Sequence, residues 1–172
     1  MPFPEFTRLS PNRDVLPAHE RVGVLFHHSV MSFEDTIALM LRPESKVSYH
    51  ALIAIDGTRC TLVPDEHIAW HAGASSFLGR SRCNDFLLGL AFAGDTYRAP
   101  LTEAQLASAL EWLAPRWTTF RWTPAHMIDH RQAAPTRKDD LNPTEWMRLH
   151  ALIERHFQPP IKTSAARRPV SP

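Results

Sequence analysis

The strongest constraint on this chain is the run at residues 21–29, Arg-Val-Gly-Val-Leu-Phe-His-His-Ser, apolar on successive positions and then abruptly polar. A short apolar run of this kind, bounded by polar residues, reads as a buried strand. It ends in His27 and His28, so two imidazoles leave the sheet where the strand stops. A strand buried in this way needs paired neighbours and covering layers, and the rest of the chain must supply them.

The remaining patterns do so. Apolar runs at residues 48–55 and 59–63 flank Asp56-Gly57, a pair that tolerates positive φ at both turn positions and predicts a hairpin. Pro64 ends the second of these strands. Residues 87–92 form another strand, closed by Gly94-Asp95, and residues 125–130 a short last one ending at His130. A helix is expected over residues 33–41, capped by Ser32 with Glu34 and Asp35 in its first turn. A second opens at the capping-box sequence Thr102-Glu103-Ala104-Gln105, carries Leu106, Leu110 and Leu113 at helical spacing, and stops near Pro115. Asn142-Pro143 starts a third through Trp146, Leu149, Ile153 and Phe157. Residues 70–85 hold Gly, Ser, Asn and Arg and read as a long surface loop of the kind that often carries function. The fold class is therefore α/β: a single domain with a central mixed β-sheet flanked by helices. Residues 1–20 read as an irregular N-terminal arm and residues 21–157 as the domain. Residues 158–172 have too few apolar groups to fold and read as a disordered tail.

Composition narrows the function. Nineteen basic against eighteen acidic residues leave a net charge of +1, which is no footprint for nucleic acid. Cys60 and Cys83 form no CxxC pair and read as two reduced thiols. No basic segment followed by an apolar one opens the chain, so no secretory signal is expected, and no apolar run approaches the ~20 residues that span a bilayer.

Chemistry concentrates at residues 130–140, His-Arg-Gln-Ala-Ala-Pro-Thr-Arg-Lys-Asp-Asp. His27 from the first strand, His130 from the last and Asp140 from the loop after it can converge at the sheet rim. Two imidazoles and a carboxylate suffice as the protein shell of a catalytic zinc, whose fourth position is left to water. Lys138 would stand beside it as a fixed positive charge for an anionic transition state. Two other pairs compete: His67 with His71 and His126 with His130 are four apart, as in helical HExxH sites, although Ile68 and Met127 stand where the glutamate belongs. If residues 126–130 are a strand, the second pair lies ~13 Å apart and cannot share one ion. The plain alternatives are strand-end histidines without a metal and a charged, solvent-facing turn at residues 137–140.

Three blocks give the chain a resemblance. They are the strand ending in His27-His28-Ser29; the stretch from Val47-Ser48-Tyr49-His50 through Asp56-Gly57, Ala69-Trp70-His71-Ala72-Gly73 and Arg82-Cys83-Asn84-Asp85-Phe86; and His130 through Asp140. They resemble the zinc-dependent N-acetylmuramoyl-L-alanine amidases of the type 2 superfamily, over residues 22–146. That superfamily includes the cytosolic anhydro-muropeptide amidases of cell-wall recycling, the T7-lysozyme-like phage amidases and the peptidoglycan recognition proteins. The second block is most similar to the recycling branch.

The resemblance implies one zinc ion per chain on His27, His130 and Asp140, with Lys138 steadying the tetrahedral oxyanion. It implies Lys46, Trp70 and Arg82 along the substrate groove, the two cations as clamps for stem-peptide carboxylates. The implied reaction is hydrolysis of the amide between the N-acetylmuramoyl lactyl group and L-alanine. The implied partner is peptidoglycan or its fragments, met by a cytoplasmic monomer with no membrane or nucleic-acid partner; a phage lysin released by other means stays open.

One position departs from the pattern. Recycling enzymes carry a glutamate, usually assigned as general base, where this chain has Ala91. The phage and recognition-protein branches also lack it and use a tyrosine to orient or activate the water, a role that Tyr49 would take here. Gln132 also stands where relatives often have an acid. A module that binds muropeptide or peptidoglycan without cleaving it is the alternative to the enzyme.

Overall fold

The structure is a computed structural model that describes residues 1–15 and 20–157. The expected disordered tail lies outside the described residues. In chain order the strands are β1 (Glu5–Thr7), β2 (Arg13–Asp14), β3 (Gly23–His28), β4 (Ala51–Ile53), β5 (Arg59–Thr61), β6 (Ile68–Ala69), β7 (Ser76–Phe77), β8 (Arg80–Ser81), β9 (Leu87–Phe92) and β10 (Met127–Asp129). The α-helices are α1 (Phe33–Met40), α2 (Glu103–Phe120), α3 (His130–Ala133) and α4 (Pro143–Phe157).

Six strands form one mixed sheet in the order β1-β5-β4-β9-β3-β10. The β4–β5 hairpin is antiparallel and the other pairs are parallel. Gly57 makes the hairpin turn at φ +87°, its N–H donating to Ala54 O at 2.9 Å. β3 is buried along its whole length between β9 and β10.

Side chains alternate along a strand, so β3 sends Val24 and Phe26 to one face and Leu25 and His27 to the other. The first face joins Leu88, Leu90 and Phe92 and packs under Leu106 and Leu113 of α2 and Trp146 and Leu149 of α4. Each such side chain contributes roughly 1.5–3 kcal/mol on burial, so this layer anchors the sheet. The second face carries two smaller apolar clusters, one with Leu25, Phe86 and Leu87, the other with Met40, Leu52 and Ala91. His27 rises from that second face, next to Ala91 in register.

The expected caps are present. Ser32 accepts from the Asp35 N–H, and Thr102 and Gln105 cap α2 reciprocally. Cys60 and Cys83 are both free and buried.

Four expectations need correcting. The N-terminal arm is partly regular: β1 pairs with β5, and β2 with β6. An unpaired β5 edge would leave backbone groups open, and β1 closes it. Arg59 of β5 then ties Glu5 to Glu111 of α2. The loop at residues 70–85 contains the β7–β8 hairpin and a 3-10 turn at Cys83–Asp85. Helix α2 runs through Pro115 to Phe120. Pro115 sits on its exposed face, and beyond it Trp117 stacks on Phe157 at 4.1 Å and Phe120 packs on Trp122 at 5.3 Å. That packing offsets the ~3 kcal/mol cost of an interior proline. Finally, β10 is only Met127–Asp129; a 3-10 turn at Pro124–His126 precedes it, and His130 opens a helix.

Candidate active site

His27 is the fifth residue of β3, and the parallel neighbour β10 delivers His130 just beyond its carboxyl end. Ligand sites in sheets of this type lie outside the carboxyl ends of the strands. Asp129 makes the strand-to-helix turn. Its carboxylate accepts from the Gln132 N–H at 3.1 Å while the Gln132 side chain accepts from the Asp129 N–H at 3.0 Å. Gln132 is therefore the second half of a capping box, a role that an amide side chain fills as well as an acid does. The buried Asp129 carboxylate also pairs with Arg131 at 2.6 Å. The loop that follows folds back: the Arg131 N–H donates to Asp140 O at 3.0 Å and the Lys138 N–H to Ala134 O at 2.9 Å. Tyr97 holds it from the other side, its hydroxyl donating to Asp139 O at 2.8 Å.

These tethers bring three buried groups together. His27 Nδ1 lies 3.0 Å from His130 Nδ1 and 3.2 Å from Asp140 Oδ2, and His130 Nδ1 lies 3.2 Å from Asp140 Oδ1. The second nitrogen of each ring is already used. His130 Nε2 donates to Ala72 O at 3.1 Å, and His27 Nε2 faces His71 Nδ1 at 3.0 Å. A carbonyl only accepts, so the neutral His130 carries its proton on Nε2 and turns a bare Nδ1 toward the cluster. A tetrahedral zinc at ~2.0–2.1 Å from each ligand separates those ligands by about 3.3 Å, and the observed spacings match. Among the described residues, His27, His130 and Asp140 form a group able to hold a metal ion.

Electrostatics favour the same occupant. Burial pushes His27 down to about 4, so its imidazole is neutral and a ligand at physiological pH. Burial opposes ionisation of Asp140, but the two imidazoles hold its carboxyl well below the usual carboxylate range. Burial, with Asp140 nearby, drives the Tyr49 phenol far above its ordinary value, so Tyr49 stays protonated and acts as a donor, not as a base.

A cavity of about 340 Å³ opens beside the cluster. Tyr49, Trp70 and Lys138 line it together with the three converging residues. The Tyr49 ring lies 5.1 Å from that of His27. Lys46 and Arg82 are not among its lining residues: Lys46 is exposed at a left-handed turn next to the lining residue Val47, and the Arg82 side chain is 79% exposed and paired with Asp85. His126 caps its own turn through the Thr123 N–H at 2.9 Å, apart from His130, and His67 gives its carbonyl to His50. The Ala91 side chain is fully buried in the cluster with Met40, Leu52, Cys60 and Leu62.

Two residues of the site have a place that the sequence did not suggest. His71, expected at most to pair with His67 around a metal, contacts His27 instead, and the exposed Asp139 lines the cavity. The signal for His71 was a glycine, Gly89, inside an apolar strand, which marks a close approach by another group.

The mixed sheet, with a buried His-His-Asp group able to hold a metal ion and a cavity beside it, defines an α/β domain with its site at the sheet rim. The chain belongs to the N-acetylmuramoyl-L-alanine amidase family, whose model matches residues 19–143. It is 40% identical over 167 residues to a Citrobacter freundii protein named 1,6-anhydro-N-acetylmuramyl-L-alanine amidase AmpD, covering 84% of this chain and 87% of that one. A Salmonella typhimurium (strain SL1344) protein of the same name is 37% identical over 164 residues, with the same coverage. Among solved structures, a selenomethionine AmpD derivative superposes with a TM-score of 0.73 at 28% identity, over 86% of this chain and 93% of that one.

Proposed function

We propose that this chain is a zinc amidase that hydrolyses the amide between the N-acetylmuramoyl lactyl group and L-alanine, acting on anhydro-muropeptides or peptidoglycan. The observation that carries the reading is the spacing of His27 Nδ1, His130 Nδ1 and the Asp140 carboxylate at 3.0–3.2 Å, the spacing of ligands around one tetrahedral ion. The relatives' names supply the substrate class, and no helix among the described residues is long and apolar enough to cross a membrane. A cytoplasmic monomer working on recycled wall fragments fits this reading.

His27, His130 and Asp140 would hold one zinc ion. Bound there, zinc supplies a Lewis acid and a water acidic enough to act as a nucleophile near neutral pH. The chain's own groups do the rest. The Lys138 ammonium, on the cavity wall, meets the negative charge that develops on the amide oxygen. Tyr49 donates a hydrogen bond that orients the water or the carbonyl. Trp70 provides an apolar wall for the substrate, and Lys46 and Arg82 remain proposed clamps for stem-peptide carboxylates outside the cavity lining. Ala91 moves no proton, and Asp139, an acidic residue of the cavity lining, is the group proposed for that role.

The alanine at position 91, with no proton to move, favours one second reading, a module that holds muropeptide without cleaving it. Mass spectrometry of products from a defined anhydro-muropeptide, with and without chelator, separates the two. Chelator-sensitive release of the L-alanyl peptide supports the amidase, and bound zinc with no release supports the module.

A further inference from the structure

We propose that His71 is a positioning residue that holds His27 in the one tautomer able to offer Nδ1 to a cation. This rests on the metal-centre reading above. His71 is 8% exposed, and both its own N–H and that of Ala72 donate to the Asn84 side-chain oxygen, at 3.0 and 2.7 Å. Its ring is then fixed at both ends. Nε2 reaches Leu87 O at 3.1 Å, and because a carbonyl only accepts, His71 carries its proton there. Its Nδ1 is left bare and lies 3.0 Å from His27 Nε2. That contact forms only if His27 is protonated on Nε2, and this frees His27 Nδ1 toward His130 and Asp140.

The backbone makes room for the ring. A Cβ on Gly89 would stand 2.5 Å from His71 Cγ, so β9 gives up a side chain where the imidazole lies across it. His50, the other imidazole facing His71 with ring centroids 5.8 Å apart, is committed elsewhere. Its Nδ1 accepts from the Gly89 N–H at 2.8 Å and its Nε2 donates to His67 O at 3.0 Å. No proton from His50 therefore competes for His71 Nδ1.

The result is a chain of fixed polarity: His27 Nε2–H to His71 Nδ1, and His71 Nε2–H to Leu87 O. Metal-binding histidines usually donate their second N–H to a carboxylate, a carbonyl or water. His130 follows that habit through Ala72 O. His27 donates to a neutral imidazole instead, which orients it without adding a negative charge beside Asp140.

Two substitutions of similar polarity test this. The oxygen of an asparagine side chain lies as far from the backbone as histidine Nδ1, and that of a glutamine as far as Nε2. His71→Asn therefore keeps an acceptor for His27, whereas His71→Gln keeps the reach toward Leu87 and loses His27. Two readouts apply: the His27 tautomer in the metal-free protein from long-range proton–nitrogen NMR, and zinc affinity by competition with a chromophoric chelator. Wild type and His71→Asn are expected to show His27 protonated on Nε2. His71→Gln is expected to show mixed tautomers and zinc binding weaker by about 10–100-fold. Equal affinity and equal tautomers in the two variants, or tighter binding in His71→Gln, would overturn the proposal. If wild-type protein takes up no zinc, the metal reading fails, while the tautomer comparison still decides what His71 does.

Discussion

His27 Nδ1 and His130 Nδ1 lie 3.0 Å apart, with the Asp140 carboxylate beside both. With His27 in the tautomer proposed above, three lone-pair donors face one point, where a cation is the complementary occupant. Zinc is therefore expected to stabilise the fold as well as to serve catalysis. At a free concentration ~1,000 times its Kd, a ligand of the native state adds about 4 kcal/mol. For a chain of this length that raises Tm on the order of 10 °C. Thermal scans with zinc and with chelator check the expectation, and a Tm indifferent to both contradicts it.

Lys138 and Asp139 are adjacent on the cavity wall and are assigned to different steps. Lys138→Ala should lower kcat by about 10²-fold with a smaller change in KM, because the charge it meets exists chiefly in the transition state. Asp139→Asn should lower kcat by at least ~10²-fold, the usual cost of a missing proton acceptor, at unchanged zinc content. Steady-state kinetics on an anhydro-muropeptide measure both. A change confined to KM in either variant removes that residue from the chemistry.

Acidification should weaken the metal-free fold. Burial lowers His27 from 6.5 to about 4, so between those values the unfolded chain takes a proton that the folded chain refuses. The stabilising contribution is complete above pH ~6.5 and is lost as pH falls toward 4, roughly 3 kcal/mol in all. Burial shifts His71 in the same direction. Urea titrations of chelator-treated protein at pH 7 and pH 4.5 give the comparison. Greater stability at the lower pH would contradict these assignments.

Asp129 is expected to matter to the site without touching a ligand. Its buried carboxylate caps the helix that begins with His130 and pairs with Arg131. Asp129→Ala should cost about 1–2 kcal/mol from the lost cap and should also weaken zinc binding, since His130 is then free to turn. Denaturation midpoints and zinc competition report the two effects separately. A stability loss with zinc affinity intact would confine Asp129 to the fold.

Much of this was legible in the chain, for local reasons. The uninterrupted run before His27 can only be an inner strand. Asp56-Gly57 and Thr102 with Gln105 specify a turn and a cap within four residues, and both appear as expected. The grouping of His27, His130 and Asp140 was legible because few side chains suit zinc, the two histidines sit at strand ends and Asp140 lies in the loop that follows. What escaped depends on distant partners. Glu5–Thr7 is too short to announce a strand, and only the open edge of β5 makes it one. Pro115 looks like a helix stop until Trp117 finds Phe157. His71 offered only a spacing of four from His67, and its actual contacts depend on where the side chains of Asn84 and His27 and the carbonyl of Leu87 arrive.

The most direct measurement is metal content of purified wild-type and His130→Ala protein after equilibration with zinc, with circular dichroism to follow the fold. One zinc per wild-type chain, and none in a variant that keeps its secondary structure, is the predicted result. Undiminished zinc in His130→Ala, or a wild-type chain that binds none, would contradict the assignment of His27, His130 and Asp140 to one ion.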